Sequence, residues 1–186
     1  MQYPVGRHRA WPLPRTAPGI TGMTETTRMT DRLWRVALRV AWRLLRLWWF
    51  VRRPHIEGVY VAVWHGGRLL VVRNSYKSYA TVPGGGVYRG EPRATAAARE
   101  LREEAGIDVD PSALRLALDD VLFFEHKHDH ATVYEIDLPA APVPRVDGRE
   151  VISAAFLSPE EALARSLSPV VRRYLVRREA SPGASR

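Results

Sequence analysis

Residues 31–53, DRLWRVALRVAWRLLRLWWFVRR, alternate apolar and basic positions in a helical rhythm. Arg32, Arg35, Arg39, Arg43 and Arg46 recur every three or four residues, which aligns them along one stripe of an α-helix. Leu, Val, Ala and Trp fill the rest of the circumference. Asp31 is placed to cap the start of this helix and Pro54 to stop it. From His55 the rhythm becomes that of strands. GVYVAVW and RLLVVR predict two strands joined as a hairpin at His65-Gly66-Gly67, and YATV predicts a third. Further strands are expected over Leu114–Glu125, Thr132–Leu138 and Val151–Leu157. Ser158-Pro159-Glu160-Glu161 has the form of a capping box with proline at the first helical position, and Ser168-Pro169 repeats its first half, so two helices close the chain. Residues 1–30, rich in Pro, Thr, Gly and Arg, have no apolar period and read as a disordered arm, within which Met23 and Met29 offer alternative starts. The chain thus divides into an arm (1–30), an Arg/Trp amphipathic helix (31–53), an α/β domain (54–179) and a frayed tail (180–186).

One segment of that domain carries chemistry: PGGGVYRGEPRATAAARELREEAGI, from Pro83 to Ile107. It predicts a helix starting at Gly90 or Glu91, with Pro92 in its first turn and Gly106 at its end. At about 100° per residue, Ala94, Ala97, Ala98, Leu101 and Ala105 share a face small enough to lie close on a sheet. Glu100, Glu103 and Glu104 fall on an adjacent arc. Three carboxylates on neighbouring turns repel one another and weaken a helix. Taken alone, such a triplet reads as a solvated acidic face. Here a glycine loop, Gly84-Gly85-Gly86, stands just before it and lets backbone come near the carboxylates. Hard divalent cations take oxygen ligands of this kind. Arg99, four residues before Glu103, can steady it, and Glu91 sits where a helix start favours negative charge.

The segment from Gly85 to Ile107 resembles the Nudix box: Gly85, Glu91, Arg99, Glu100, Leu101, Glu103, Glu104, Gly106 and Ile107 match its fixed positions with the spacing intact. LLVVR before the box and REVISAAFLSPEEAL after it are similar to the flanking elements of that family, so the resemblance runs from about His55 to Tyr174. It implies an α/β/α sandwich around a mixed β-sheet, with the amphipathic helix outside it. It also implies hydrolysis, dependent on Mg²⁺ or Mn²⁺, of a nucleoside diphosphate linked to another group. Carried over by residue, Glu100, Glu103 and Glu104 would hold metal with the Gly85 carbonyl, and Glu91 and Arg99 would orient them. Glu150, just before a predicted strand, is the expected acidic ligand or base outside the box, with Glu125 as second choice. Arg73 and Tyr79 are candidates for phosphate or base contacts, although strand-end residues are the plainer reading. Ala80 stands where relatives often carry an aromatic, Pro111 and Pro139 do not fit the ADP-ribose type, and the isopentenyl diphosphate isomerase branch relies on a cysteine that this chain lacks.

Composition narrows the rest. With no cysteine among 186 residues, disulfide scaffolds, thiolate catalysis and Cys-based zinc sites are excluded, which fits a reducing cytoplasm. Eleven arginines against Glu25 and Asp31 give residues 1–53 a net charge of +9, so the remainder carries −1 of the total +8. The basic character therefore belongs to the N-terminal segment and points to no specific nucleic acid. The longest uncharged run of residues 31–53, Leu47 to Val51, is far short of the roughly 20 apolar residues a membrane span needs. Five of the six tryptophans lie in the first 49 residues. Arginine and tryptophan suit a headgroup layer, so residues 31–53 are expected to meet a membrane surface, a second subunit or the domain itself. His126, His128 and His130 alternate as in a strand that binds a metal, against the plainer reading of a polar hairpin tip. The expected partner is a small nucleotide diphosphate derivative. The alternatives are a lipid-linked or isoprenoid diphosphate hydrolysed at a membrane surface, and a non-catalytic nucleotide sensor, against which the complete glutamate set argues.

Overall fold

A computed structural model describes residues 25–180, with side chains from Met29 onward. The expectations for residues 1–24 and 181–186 lie outside the described residues. The order is α1 (Glu25–Arg52), β1 (His55–His65), β2 (Arg68–Asn74), β3 (Gly84–Gly86), α2 (Arg93–Ala105), a 3₁₀ turn (Pro111–Ala113), β4 (Arg115–Phe124), β5 (Lys127–Asp137), β6 (Val151–Leu157), α3 (Pro159–Leu163) and α4 (Pro169–Glu179).

β1 is the spine of one mixed sheet with strand order β4-β5-β1-β2-β6. It pairs parallel to β5 along its whole length and antiparallel to β2 at the Gly66-Gly67 hairpin. β3 pairs with its first half, Gly58 to Tyr60 opposite Gly86 to Gly84. A central strand covered on both faces needs a continuous apolar run, which Val59, Val61, Ala62, Val63 and Trp64 supply with no more than 3% exposure. Val59, Val61, Val63 and Leu70 meet Ala96, Ala97, Leu101 and Ala105 of α2 on one face. Ala62, Trp64, Leu69 and Val71 meet Ala162 of α3 and Val171, Tyr174 and Leu175 of α4 on the other. The result is the expected α/β/α sandwich.

Several boundaries differ from the sequence reading. YATV forms only isolated bridges, Val72 to Thr81 and Ala80 to Leu167, and the third strand is the glycine triplet itself. β5 begins at Lys127, because the Lys127 ammonium pairs with the buried Asp129 carboxylate at 3.1 Å and so satisfies charges that disguise the strand. The hairpin tip is therefore Glu125-His126, both at positive φ. α2 starts after Pro92, which serves as its N-cap, and ends at Gly106, left-handed at φ 66°, as predicted. Ala96, not Ala94, completes its buried face. Both closing helices begin at the predicted caps, Ser158 with a full capping box and Ser168.

α1 departs most. It starts at Glu25, so residues 25–30 are helical and not part of a disordered arm. Asp31 is no cap: it is buried mid-helix and accepts a hydrogen bond from Arg149 Nε at 2.9 Å. The helix lies on the domain through Asp31, Arg35, Trp42 and Trp49. Arg35 Nε donates to Gly148 O at 2.9 Å and Arg39 Nε to Ser75 O at 3.2 Å. Trp42 packs on Tyr76 at 5.0 Å, and Trp49 is buried beneath the Lys127 ammonium. Leu38 is half-buried; the other large aliphatic side chains of the helix are exposed to solvent. No helix among the described residues is long and apolar enough to cross a membrane.

Candidate active site

Glu100, Glu103, Glu104, Glu150, Asp147 and Val151 line one pocket. Helical spacing delivers the first three from α2, and β6 starts where Glu150 joins them. Packing explains how α2 holds its carboxylates so near the sheet. Its buried face is alanine except for Leu101, so the helix approaches closely and carries Glu104 down with it to 8% exposure.

Each carboxylate is held differently. Glu104 Oε2 accepts from Gly84 N at 3.0 Å and Oε1 from Asn74 Nδ2 at 3.3 Å. Burial pushes its pKa up to about 7; Lys77 and the Gly84 N–H pull against this, and Glu150 and Glu100 add to it. Glu100 is raised for the same main reason, desolvation. Its carboxylate occupies the space beside Gly85, where an added Cβ would lie 2.5 Å from Oε1. The box glycine is thus required by close approach of the carboxylate, not by an unusual backbone angle.

Arg99 organises the outer side. It donates to Glu91 at 3.0 and 3.1 Å, to Glu100 at 2.7 Å, to Glu103 at 3.4 Å and to Gly86 O at 3.0 Å. The hydrogen bond from Arg99 holds Glu91 below the usual carboxylate range. Glu91 also accepts from Tyr88 N at 3.0 Å, so it braces the glycine loop from just before α2. Glu103 stays half exposed at the mouth of the pocket.

Glu150 Oε1 accepts from Tyr76 OH at 2.7 Å. Its backbone is fixed by Asp147, whose carboxylate accepts from the N–H groups of Arg149, Glu150 and Val151. Asn74, Tyr76, Lys77 and Asp147 were not singled out from sequence. The Asp147-Gly148 turn before β6 was the one readable signal.

Other candidates lie elsewhere. Glu125 faces Arg46 of α1 at 3.8 Å and Tyr79, away from the pocket. Arg73 is exposed on β2 opposite Ser153, and Tyr79 packs on Phe124 at 5.4 Å. The histidines do not converge: His126 packs on Phe50, His128 stacks on His55 at 4.5 Å, and His130 meets Asp119 at 2.8 Å.

The pocket's donor set fits a hard divalent cation in kind: all oxygen, part of it desolvated, with one carboxyl, Glu104, whose pKa burial pushes up to about 7. Among the described residues no three His, Cys, Asp or Glu side chains are gathered closely enough to hold a metal ion as they stand.

Solved structures share this fold. The chain superposes on the MutT NUDIX hydrolase of Burkholderia pseudomallei with a TM-score of 0.58 at 25% identity, over 66% of this chain and 96% of that one. It also superposes on a MutT protein of Methanosarcina mazei Go1 (TM-score 0.60, 24% identity, 69% and 95% covered). A Caenorhabditis elegans Ap4A hydrolase shares the fold at a TM-score of 0.58 and 19% identity, over 67% and 96%. No curated protein matches the chain. The NUDIX domain family model matches residues 54–178, the span that holds every carboxylate of the pocket, and the chain belongs to that family.

Proposed function

We propose that this chain is a pyrophosphohydrolase that uses Mg²⁺ or Mn²⁺ to cleave the diphosphate of a nucleoside diphosphate linked to another moiety. The observation that carries the reading is the gathering of Glu100, Glu103, Glu104 and Glu150 in one pocket, with Gly85 clearing space for Glu100 and burial raising Glu104 to about 7. A diphosphate repels both an attacking hydroxide and a lining of glutamates. A divalent cation, when bound, offsets that repulsion and lowers the pKa of an attacking water.

The chain's own residues do the positioning. Arg99 sets the spacing of Glu100 and Glu103 and ties both to the glycine loop through Glu91 and Gly86 O. The Gly84 N–H and Asn74 hold Glu104. Glu100, Glu103 and Glu104 are the proposed metal ligands, with the Gly85 carbonyl. Tyr76 fixes Oε1 of Glu150, leaving Oε2 to ligate or to take the proton of the attacking water.

The test is release of phosphate or nucleotide from a panel of nucleotide diphosphate derivatives, with Mg²⁺ and with EDTA. Glu103 is half exposed, so Glu103→Gln should fold normally and lose most activity. An unchanged kcat/KM in that variant overturns the reading. A lipid-linked diphosphate belongs in the same panel, because the outward face of α1 favours a membrane-surface enzyme.

A further inference from the structure

Helix α1 leaves an apolar side unpartnered. Its inner side reaches the domain with Asp31, Arg35, Trp42 and Trp49. Its outer side carries Leu33, Val36, Val40, Leu44, Leu47 and Val51, between 50% and 72% exposed. These recur every three or four residues and form one strip along a helix of 28 residues, roughly 40 Å long. Trp34 and Trp48 stand beside it, half exposed. A contiguous apolar strip on a folded surface marks an interaction site.

Charge identifies the occupant. Arg32 and Arg43 border the strip, and Arg52 and Arg53 follow at its end. Among the described residues none of these four makes an ion pair. No acidic residue occurs between Asp31 and Glu57, and Asp31 is buried. A second copy packed strip to strip would set these basic flanks against each other with nothing to neutralise them. An anionic lipid surface satisfies both features: the aliphatic side chains enter the acyl boundary and the arginines meet headgroup phosphates.

We infer that α1 docks the protein on anionic bilayers through the Leu33–Val51 strip. Docking does not depend on the hydrolase reading, because every carboxylate of the pocket lies outside α1. Tyr76 links the helix to the pocket, packing on Trp42 and donating to Glu150.

The full chain is floated with vesicles of equal phosphatidylglycerol and phosphatidylcholine, and with phosphatidylcholine alone, at about 0.05 and about 0.5 M salt. It should float with the anionic vesicles at low salt, bind less at high salt, and show blue-shifted tryptophan fluorescence when bound. Arg43→Ala should weaken partitioning about fivefold, as expected for one basic residue near an anionic surface. Leu44→Glu with Leu47→Glu should abolish flotation while melting temperature and hydrolysis stay unchanged. Absence of flotation, equal flotation with both lipids, or flotation retained by the double variant overturns the inference. A dimer indifferent to vesicles, made monomeric by the double variant, overturns it in favour of a second copy.

Discussion

Replacing Glu104 by glutamine should make the metal-free protein more stable above neutral pH, and the sign follows from burial. An ordinary glutamate titrates near 4.5; in the folded chain burial pushes Glu104 up to about 7. Between those two values the folded protein holds a proton that the unfolded chain has released. Stability is therefore full below about pH 4.5, falls as pH rises to about 7, and is level above. At about 1.4 kcal/mol for each pH unit, the loss is about 3 kcal/mol. For a chain of this length that corresponds to a melting temperature lower by about 6–12 °C.

Glutamine keeps the shape and can still accept from Gly84 N, but it has no charge to desolvate. Melting curves in EDTA from pH 5 to 8 should therefore slope downward for the wild type and more shallowly for Glu104→Gln. Glu100 and Glu125 are also raised by burial and remain in both proteins, so the difference between the curves isolates Glu104. Adding Mg²⁺ at pH 8 should restore the wild type and affect the variant less, since a bound cation stabilises only the folded form that holds it. Parallel curves for the two proteins in EDTA would refute the argument from burial.

Two further outcomes are expected. Gly85→Ala places a Cβ 2.5 Å from the Glu100 carboxylate and should cost at least about tenfold in kcat/KM, whereas Gly86→Ala, with nothing within 4 Å, should leave the steady-state constants unchanged. Tyr76→Phe removes the hydrogen bond to Glu150; at about 1.5–3 kcal/mol for a bond to a charged group it should lower kcat by about one to two orders of magnitude, and Glu150→Gln should lower it further with little change in melting temperature. If Glu125→Gln shows the larger effect instead, the assignment of the acidic residue before β6 is wrong.

How much of this was legible in the sequence depends on the range over which each feature is encoded. β6 from Val151 to Leu157, the caps at Ser158 and Ser168 and the stop at Gly106 came out as read, because each is set by residues within a turn of one another. The three box glutamates came from helical spacing for the same reason. Asn74, Tyr76 and Asp147 were not legible: they reach Glu104 and Glu150 from loops whose approach is decided by the packing of β2 against β6. β5 was read short because Lys127 and Asp129 cancel each other inside the fold, and a pattern of polar positions cannot show that cancellation. α1 is the sharpest case. Its periodicity revealed a basic stripe and an apolar side but not which would face the domain. Of its apolar residues only Leu38, Trp42 and Trp49 turn inward, because much of the surface beneath is polar: Ser75 O, Gly148 O, Arg149 and Glu125. Those groups are met by Asp31, by arginine heads and by two tryptophans lying over Tyr76, Lys77 and Lys127. Once the domain has taken those side chains, the aliphatic strip has no place to go but outward. The orientation of the helix is thus a property of the surface beneath it, and it converts a pattern that sequence leaves two-sided into a directed, testable contact.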